Sequence, residues 1–119
     1  LPEWPFGFDA KIEHRLKSEE IKNLLFAKVW KGKDIVNGGE FIQETDEEGK
    51  TAFRSGYSLV SGEAWVEDDK ICLHFPSYGA NHKNCAYLFR DPDESGEPSG
   101  AYALVGKTQI LKFSVETLL

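Results

Sequence analysis

Residues 62–76 read Gly-Glu-Ala-Trp-Val-Glu-Asp-Asp-Lys-Ile-Cys-Leu-His-Phe-Pro. Glu63 to Glu67 is a short apolar run rich in strand formers, and Lys70 to Phe75 sets Ile71, Leu73 and Phe75 two residues apart. A period of two is the mark of a half-buried strand. Asp68-Asp69 between the two runs is a turn dipeptide, so the stretch predicts a β-hairpin. On the returning strand Ile71, Leu73 and Phe75 share one face, and Cys72 and His74 share the other.

The same rhythm extends in both directions. Upstream, Val29-Trp30-Lys31 reads as a strand ended by Gly32, and Asn37-Gly38-Gly39 as a turn. Glu40 to Thr45 and Thr51 to Arg54 are strands joined by the polar loop Asp46 to Lys50. Downstream, Ser77 to Asn84 is a loop and Cys85 to Arg90 a strand. Asp91 to Gly100 is a second polar loop. Ala101 to Val105 and Gln109 to Phe113 are closing strands. About eight short strands with hairpin-length links predict a mostly β fold, a small antiparallel barrel or sandwich.

One helix precedes the strands, over Glu19 to Ala27. Ser18 is placed to cap it, and Glu19 and Glu20 put negative charge at its positive end. Ile21, Leu24 and Leu25 form one apolar stripe. Two turns are marginal alone, so the helix must dock on something. Residues 1–13 hold two prolines and three aromatics, Trp4, Phe6 and Phe8, and are expected to form an extended arm. Its aromatics either pack on the domain or reach an upstream domain or protein partner. Residues 14–119 make the single β domain.

The chain has 119 residues, 40% hydrophobic and 13% aromatic. That suits one globular domain that buries roughly two-thirds of its unfolded surface. It contains no Met, which is expected of a processed mature protein or an excised domain. A net charge of −6 without a compensating Lys/Arg cluster excludes nucleic-acid binding. No apolar run approaches the roughly 20 residues of a membrane span, so the segment is expected to be soluble.

Cys72 and Cys85 are the only cysteines, and no C-x-x-C or clustered His points to metal or redox chemistry. Adjacent antiparallel strands would bring the two near disulfide distance. The alternatives are one disulfide, worth roughly 3 kcal/mol for a loop of this size and implying an oxidising compartment, or two buried thiols. Asp91-Pro92-Asp93-Glu94-Ser95-Gly96 echoes the front of a calcium loop, but the expected Glu falls at Tyr102 and the flanks read as strands. His74 shares a face with Cys72 at about 7 Å along the backbone, a poor nucleophilic pair. The carboxylates sit in turns or on solvent-facing strand positions, and no cofactor motif is present. Trp30, Trp65, Tyr87 and Tyr102, with Tyr78, are candidates to line a barrel mouth and hold a small apolar ligand; the alternative is that the tryptophans are core.

Ser61 to Cys72, Asn84-Cys85-Ala86-Tyr87-Leu88-Phe89-Arg90 and Leu16 to Leu25 together resemble a group of small bacterial domains of unknown function. Their pattern is a short helix, a G-x-W strand, an L-C strand, and a second Cys before a Y-x-[VLF]-[FY]-R strand. This sequence has two residues between Gly62 and Trp65, where the pattern has one. Some members resemble lipocalin-like β-barrels. Similar segments, with an arm like Leu1 to Gly7, follow the catalytic domain in class III nucleotide cyclase-like proteins. The resemblance implies a lipocalin-like barrel, favours pairing of Cys72 with Cys85, and implies no catalytic residue. A secreted member would be periplasmic, and a cyclase-appended one cytoplasmic.

The expected function is therefore a non-enzymatic small-ligand-binding or accessory barrel that is periplasmic or secreted. The alternative is a regulatory domain of a larger signalling protein. A hydrolase using His74 and nearby carboxylates is a distant third.

Overall fold

The computed structural model describes residues 12–79, 83–91, 100–106 and 109–118. A 3-10 turn at Ile12–His14 leads to helix α1 (Ser18–Leu25). Eight strands follow: β1 (Lys28–Asp34), β2 (Glu40–Thr45), β3 (Lys50–Ser55), β4 (Ser58–Glu67), β5 (Lys70–His74), β6 (Lys83–Asp91), β7 (Ala101–Val105) and β8 (Ile110–Thr117). Each pairs antiparallel with the next. β1 pairs with β8, from Lys28 opposite Thr117 to Asp34 opposite Leu111, and closes the barrel. Closure leaves no unpaired sheet edge, which is how an up-and-down meander escapes edge-to-edge aggregation.

The expected hairpin of residues 62–76 forms, with Glu67 opposite Lys70 and Trp65 opposite Cys72. Its turn residues Asp68 and Asp69 both have positive φ, 52° and 60°. That is the backbone of a two-residue primed turn, and Asp tolerates it better than most residues. β2 and β7 have the expected bounds, whereas β1, β4 and β8 are longer than the sequence suggests. β1 does not end at Gly32 but runs through it. Gly32 faces the interior opposite Phe113, and a Cβ there would overlap the carbonyl oxygen of Lys112. The glycine permits close strand approach and does not break the strand.

Alternation fills the barrel. Trp30, Phe41, Phe53, Ala64, Ile71, Leu88, Leu104, Leu111 and Phe113 belong to one core cluster. Trp30 and Phe113 stack with centroids 4.1 Å apart. The indole of Trp30 also donates to the carbonyl of Leu24 at 2.7 Å, tying the core to the last turn of α1.

α1 plugs one end of the barrel. Leu16, Ile21 and Leu25 are fully buried in the main core cluster. Each buried aliphatic of this kind is worth about 1.5–3 kcal/mol relative to an exposed one. The helix starts one residue earlier than expected, and Lys17, not Ser18, holds the cap position. Glu20 accepts the Lys17 N–H at 3.2 Å and pairs with Arg90 at the end of β6. The Ser18 hydroxyl turns away from the helix to the β4–β5 turn. Its backbone N–H and hydroxyl donate to Asp69 Oδ1 at 2.7 and 3.0 Å, and the Asp69 N–H donates back to Ser18 Oγ at 3.0 Å. These hydrogen bonds hold the Asp69 carboxyl below its ordinary value.

The arm proposed over residues 1–13 lies outside the described residues except for Ile12 and Glu13. The calcium-like segment lies outside them except for Asp91.

Candidate functional site

The end of the barrel opposite α1 is hollow. A cavity of about 480 Å³ opens there, between the β5–β6 and β7–β8 connections. Its wall is made by inward-facing side chains of successive strands, among them Phe53, Val60, Ile71, Leu73, Leu104 and Leu111. Phe75 and Tyr78 flank it from the β5–β6 connection, and Lys83, Asn84 and Gln109 add polar groups. The helix half receives Trp30 and the side chains of α1, whereas among the described residues no connecting segment fills the other half to the same depth. Small ligand sites in proteins have this character and fall in the range of about 300–1,000 Å³.

One polar side chain lies among the apolar ones. Gln43 is 1% exposed and lines the cavity. Its Nε2 donates to Thr51 Oγ1 at 2.9 Å, and the Thr45 and Thr51 hydroxyls lie 2.9 Å apart. Sequence reasoning passed over this trio. The signal was present: on β2, Phe41, Gln43 and Thr45 alternate with Glu40, Ile42 and Glu44. A glutamine therefore shares the phenylalanine face.

The four aromatics expected to line a pocket do not converge, and none borders the cavity. Trp30 faces inward but is 1% exposed, stacked on Phe113 in the plugged half. Tyr102 also faces inward, half-buried, its ring centroid 6.1 Å from that of Phe113. Trp65 and Tyr87 face outward. Each falls on the strand parity of Cys72 and Cys85, which points away from the barrel interior, although Cys72 itself is fully buried. Tyr87 lies between two cations, Arg15 at 4.5 Å and Lys70 at 5.1 Å from its ring centre. The correction follows from period two. Aromatic content does not say which parity points inward; the hairpin register does. Tyr78, the fifth aromatic considered, does border the cavity mouth.

The outer face carries a second cluster. Cys72 and Cys85 stand directly opposite one another on β5 and β6, joined as a disulfide. Trp65 completes that row from β4. Glu67 Oε1 accepts from Trp65 Nε1 at 2.9 Å and lies 2.8 Å from Lys83 Nζ. The Lys83 hydrogen bond, reinforced by that from Trp65, holds Glu67 below the usual carboxylate value. The donor atoms of Glu67, Cys72 and Cys85 lie within 4.8 Å of one another. Two sulfurs bonded to each other offer no thiolate to a metal, however. His74, at the edge of this face, lies 3.3 Å from the carbonyl of Gly79 through Nε2, and the Cys72 sulfur beside it is not a free thiol.

Set against protein-family models, curated proteins and solved structures, the chain matches none of them.

Proposed function

We propose that this domain binds a small, predominantly apolar ligand in the open half of its barrel and catalyses no reaction there. The observation that carries the reading is the cavity itself. It is lined by Phe53, Val60, Ile71, Leu73, Leu104 and Leu111, in a barrel whose other half holds Trp30 and the buried side chains of α1. An eight-stranded meander is large enough to hold one small ligand, as the lipocalins do. Most of the wall is apolar, which favours burial of hydrocarbon, and its polar groups, Lys83, Asn84 and Gln109, are few. The row of Cys72 and Cys85 further supports an extracytoplasmic, oxidising location, periplasmic or secreted.

Titration with the fluorescent apolar probe anilinonaphthalene sulfonate tests the reading. The folded chain is expected to bind one equivalent and enhance its emission. Leu73→Trp or Leu104→Phe, each of which adds volume to the wall, is expected to weaken binding at least about tenfold while the far-ultraviolet dichroism stays that of a barrel. Trp65→Ala and Tyr87→Ala are expected to leave binding unchanged. Absence of saturable binding, or loss of binding in the Trp65 variant alone, would sink the proposal.

A further inference from the structure

We infer that the ligand presents a hydrogen-bond donor, a hydroxyl or an N–H, at its buried end, and that Gln43 Oε1 accepts it. This rests on the ligand-binding reading above and adds the chemistry the site selects for.

The argument begins with Thr51. Its hydroxyl has one proton and two lone pairs. The Glu44 carbonyl oxygen at 3.1 Å and the Thr45 hydroxyl at 2.9 Å are both in reach of that proton, and either threonine can be the donor between the two hydroxyls. A lone pair receives the Gln43 Nε2–H at 2.9 Å. With the amide turned this way, Oε1 is its remaining end, and it is buried with no hydrogen-bond partner among the described residues.

The polar groups at the cavity mouth, Lys83, Asn84 and Gln109, make no hydrogen bond to it, and the side chains beside it have none to give. Phe53 stands directly opposite Gln43 on β3, and Ile71, Leu104 and Leu111 complete that surface. None of these side chains carries a donor. A buried acceptor without a donor is costly, so a ligand that supplies one gains more than a ligand that does not. Specificity follows from the same asymmetry. An ether or ester oxygen at this depth would face Oε1 lone pair to lone pair, and a carboxylate would be repelled outright. The site therefore selects among apolar molecules for alcohols and amines entering donor first.

The test is competition between two probes that differ in one proton. Decanol and decyl methyl ether are each used to displace anilinonaphthalene sulfonate from the full chain. Decanol is expected to compete at about a fivefold to tenfold lower concentration, the effect of one net hydrogen bond in a buried site. Gln43→Met, which keeps length but removes the acceptor, is expected to reduce that preference below about twofold. A readout that requires no variant is the Gln43 side-chain amide resonance of the wild-type chain, expected to move with decanol and not with the ether. Equal competition by alcohol and ether, or a Gln43 resonance indifferent to decanol, overturns the inference while leaving ligand binding in place. Failure of both molecules and the dye to bind overturns both.

Discussion

Ser18 and Asp69, 51 residues apart, exchange hydrogen bonds in both directions, so the first turn of α1 is pinned to the tip of the β4–β5 hairpin. The contact fixes the helix as a plug over one end of the barrel. The cavity opens at the other end.

Ser18→Ala removes the hydroxyl that both donates to and accepts from Asp69. The expected result is a lower urea midpoint with an unchanged m value, since the change affects stability and not the surface exposed on unfolding. The pH dependence has a definite sign. Asp69 is held below its ordinary carboxyl value by the two Ser18 hydrogen bonds. A depressed folded-state value stabilises above the unfolded value and is lost as pH falls through the folded one. The wild type should thus lose stability below about pH 4, and Asp69→Asn should show a flatter acid limb. Midpoints measured across that range decide it.

Glu67 supplies a second acid titration with an optical reporter. Lys83 and Trp65 both hydrogen bond to it and lower its value, so ionised Glu67 stabilises the folded chain above the ordinary carboxylate range and the contribution fades on acidification. Trp65 Nε1 donates to the same oxygen, so the indole emission should shift as Glu67 protonates. The midpoint is expected below the usual 4.5, and Glu67→Gln should abolish the transition.

Joining Cys72 to Cys85 closes a loop with a sequence separation of 13. In the chain-entropy account a loop of that size is worth about 3 kcal/mol. Reduction, or the double change to serine, should lower stability by about that amount. Thiol titration of denatured, unreduced protein should find no free thiol. Two reactive thiols would contradict the pairing and weaken the assignment to an oxidising compartment.

Gly32→Ala should destabilise the barrel by about 1–3 kcal/mol or more. The added methyl group would meet the backbone of Lys112 and Phe113 on β8, at the seam that closes the barrel. Backbone cannot move aside as a flexible side chain can. The same substitution at Gly38 meets open space but requires an unfavourable positive φ of 80°, and its cost should be smaller. Thermal denaturation of the two variants side by side distinguishes close packing from turn strain.

The hairpin over residues 62–76 was legible because three independent signals coincide there: alternation, a turn dipeptide and β-branched or aromatic content. β2 was legible for the same reason. β4 was read short at its start because Ser58-Leu59-Val60-Ser61 follows a turn closely and carries little charge contrast. Ser18 was misread because a serine before two glutamates is the usual helix cap. Its partner Asp69 lies in a turn that only the folded chain brings near. Gln43 was overlooked because one glutamine on a charged strand looks solvated until the inward parity is known.

By itself, then, the sequence determined the count of about eight strands and the helix that must dock, both of which follow from local periodicity and turn chemistry, while the order of pairing came from the closed barrel. It also placed Cys72 and Cys85 on strands that could bring them together. Tertiary structure decided which parity faces inward. That moved Trp65 and Tyr87 to the outer surface, sank Trp30 into the plugged half, and left Gln43 on the wall of a cavity that no run of residues announces. A strand's period is set by its own backbone. The identity of its inner face is set by what the neighbouring strands and the plugging helix bury, and that is a property of the closed barrel alone.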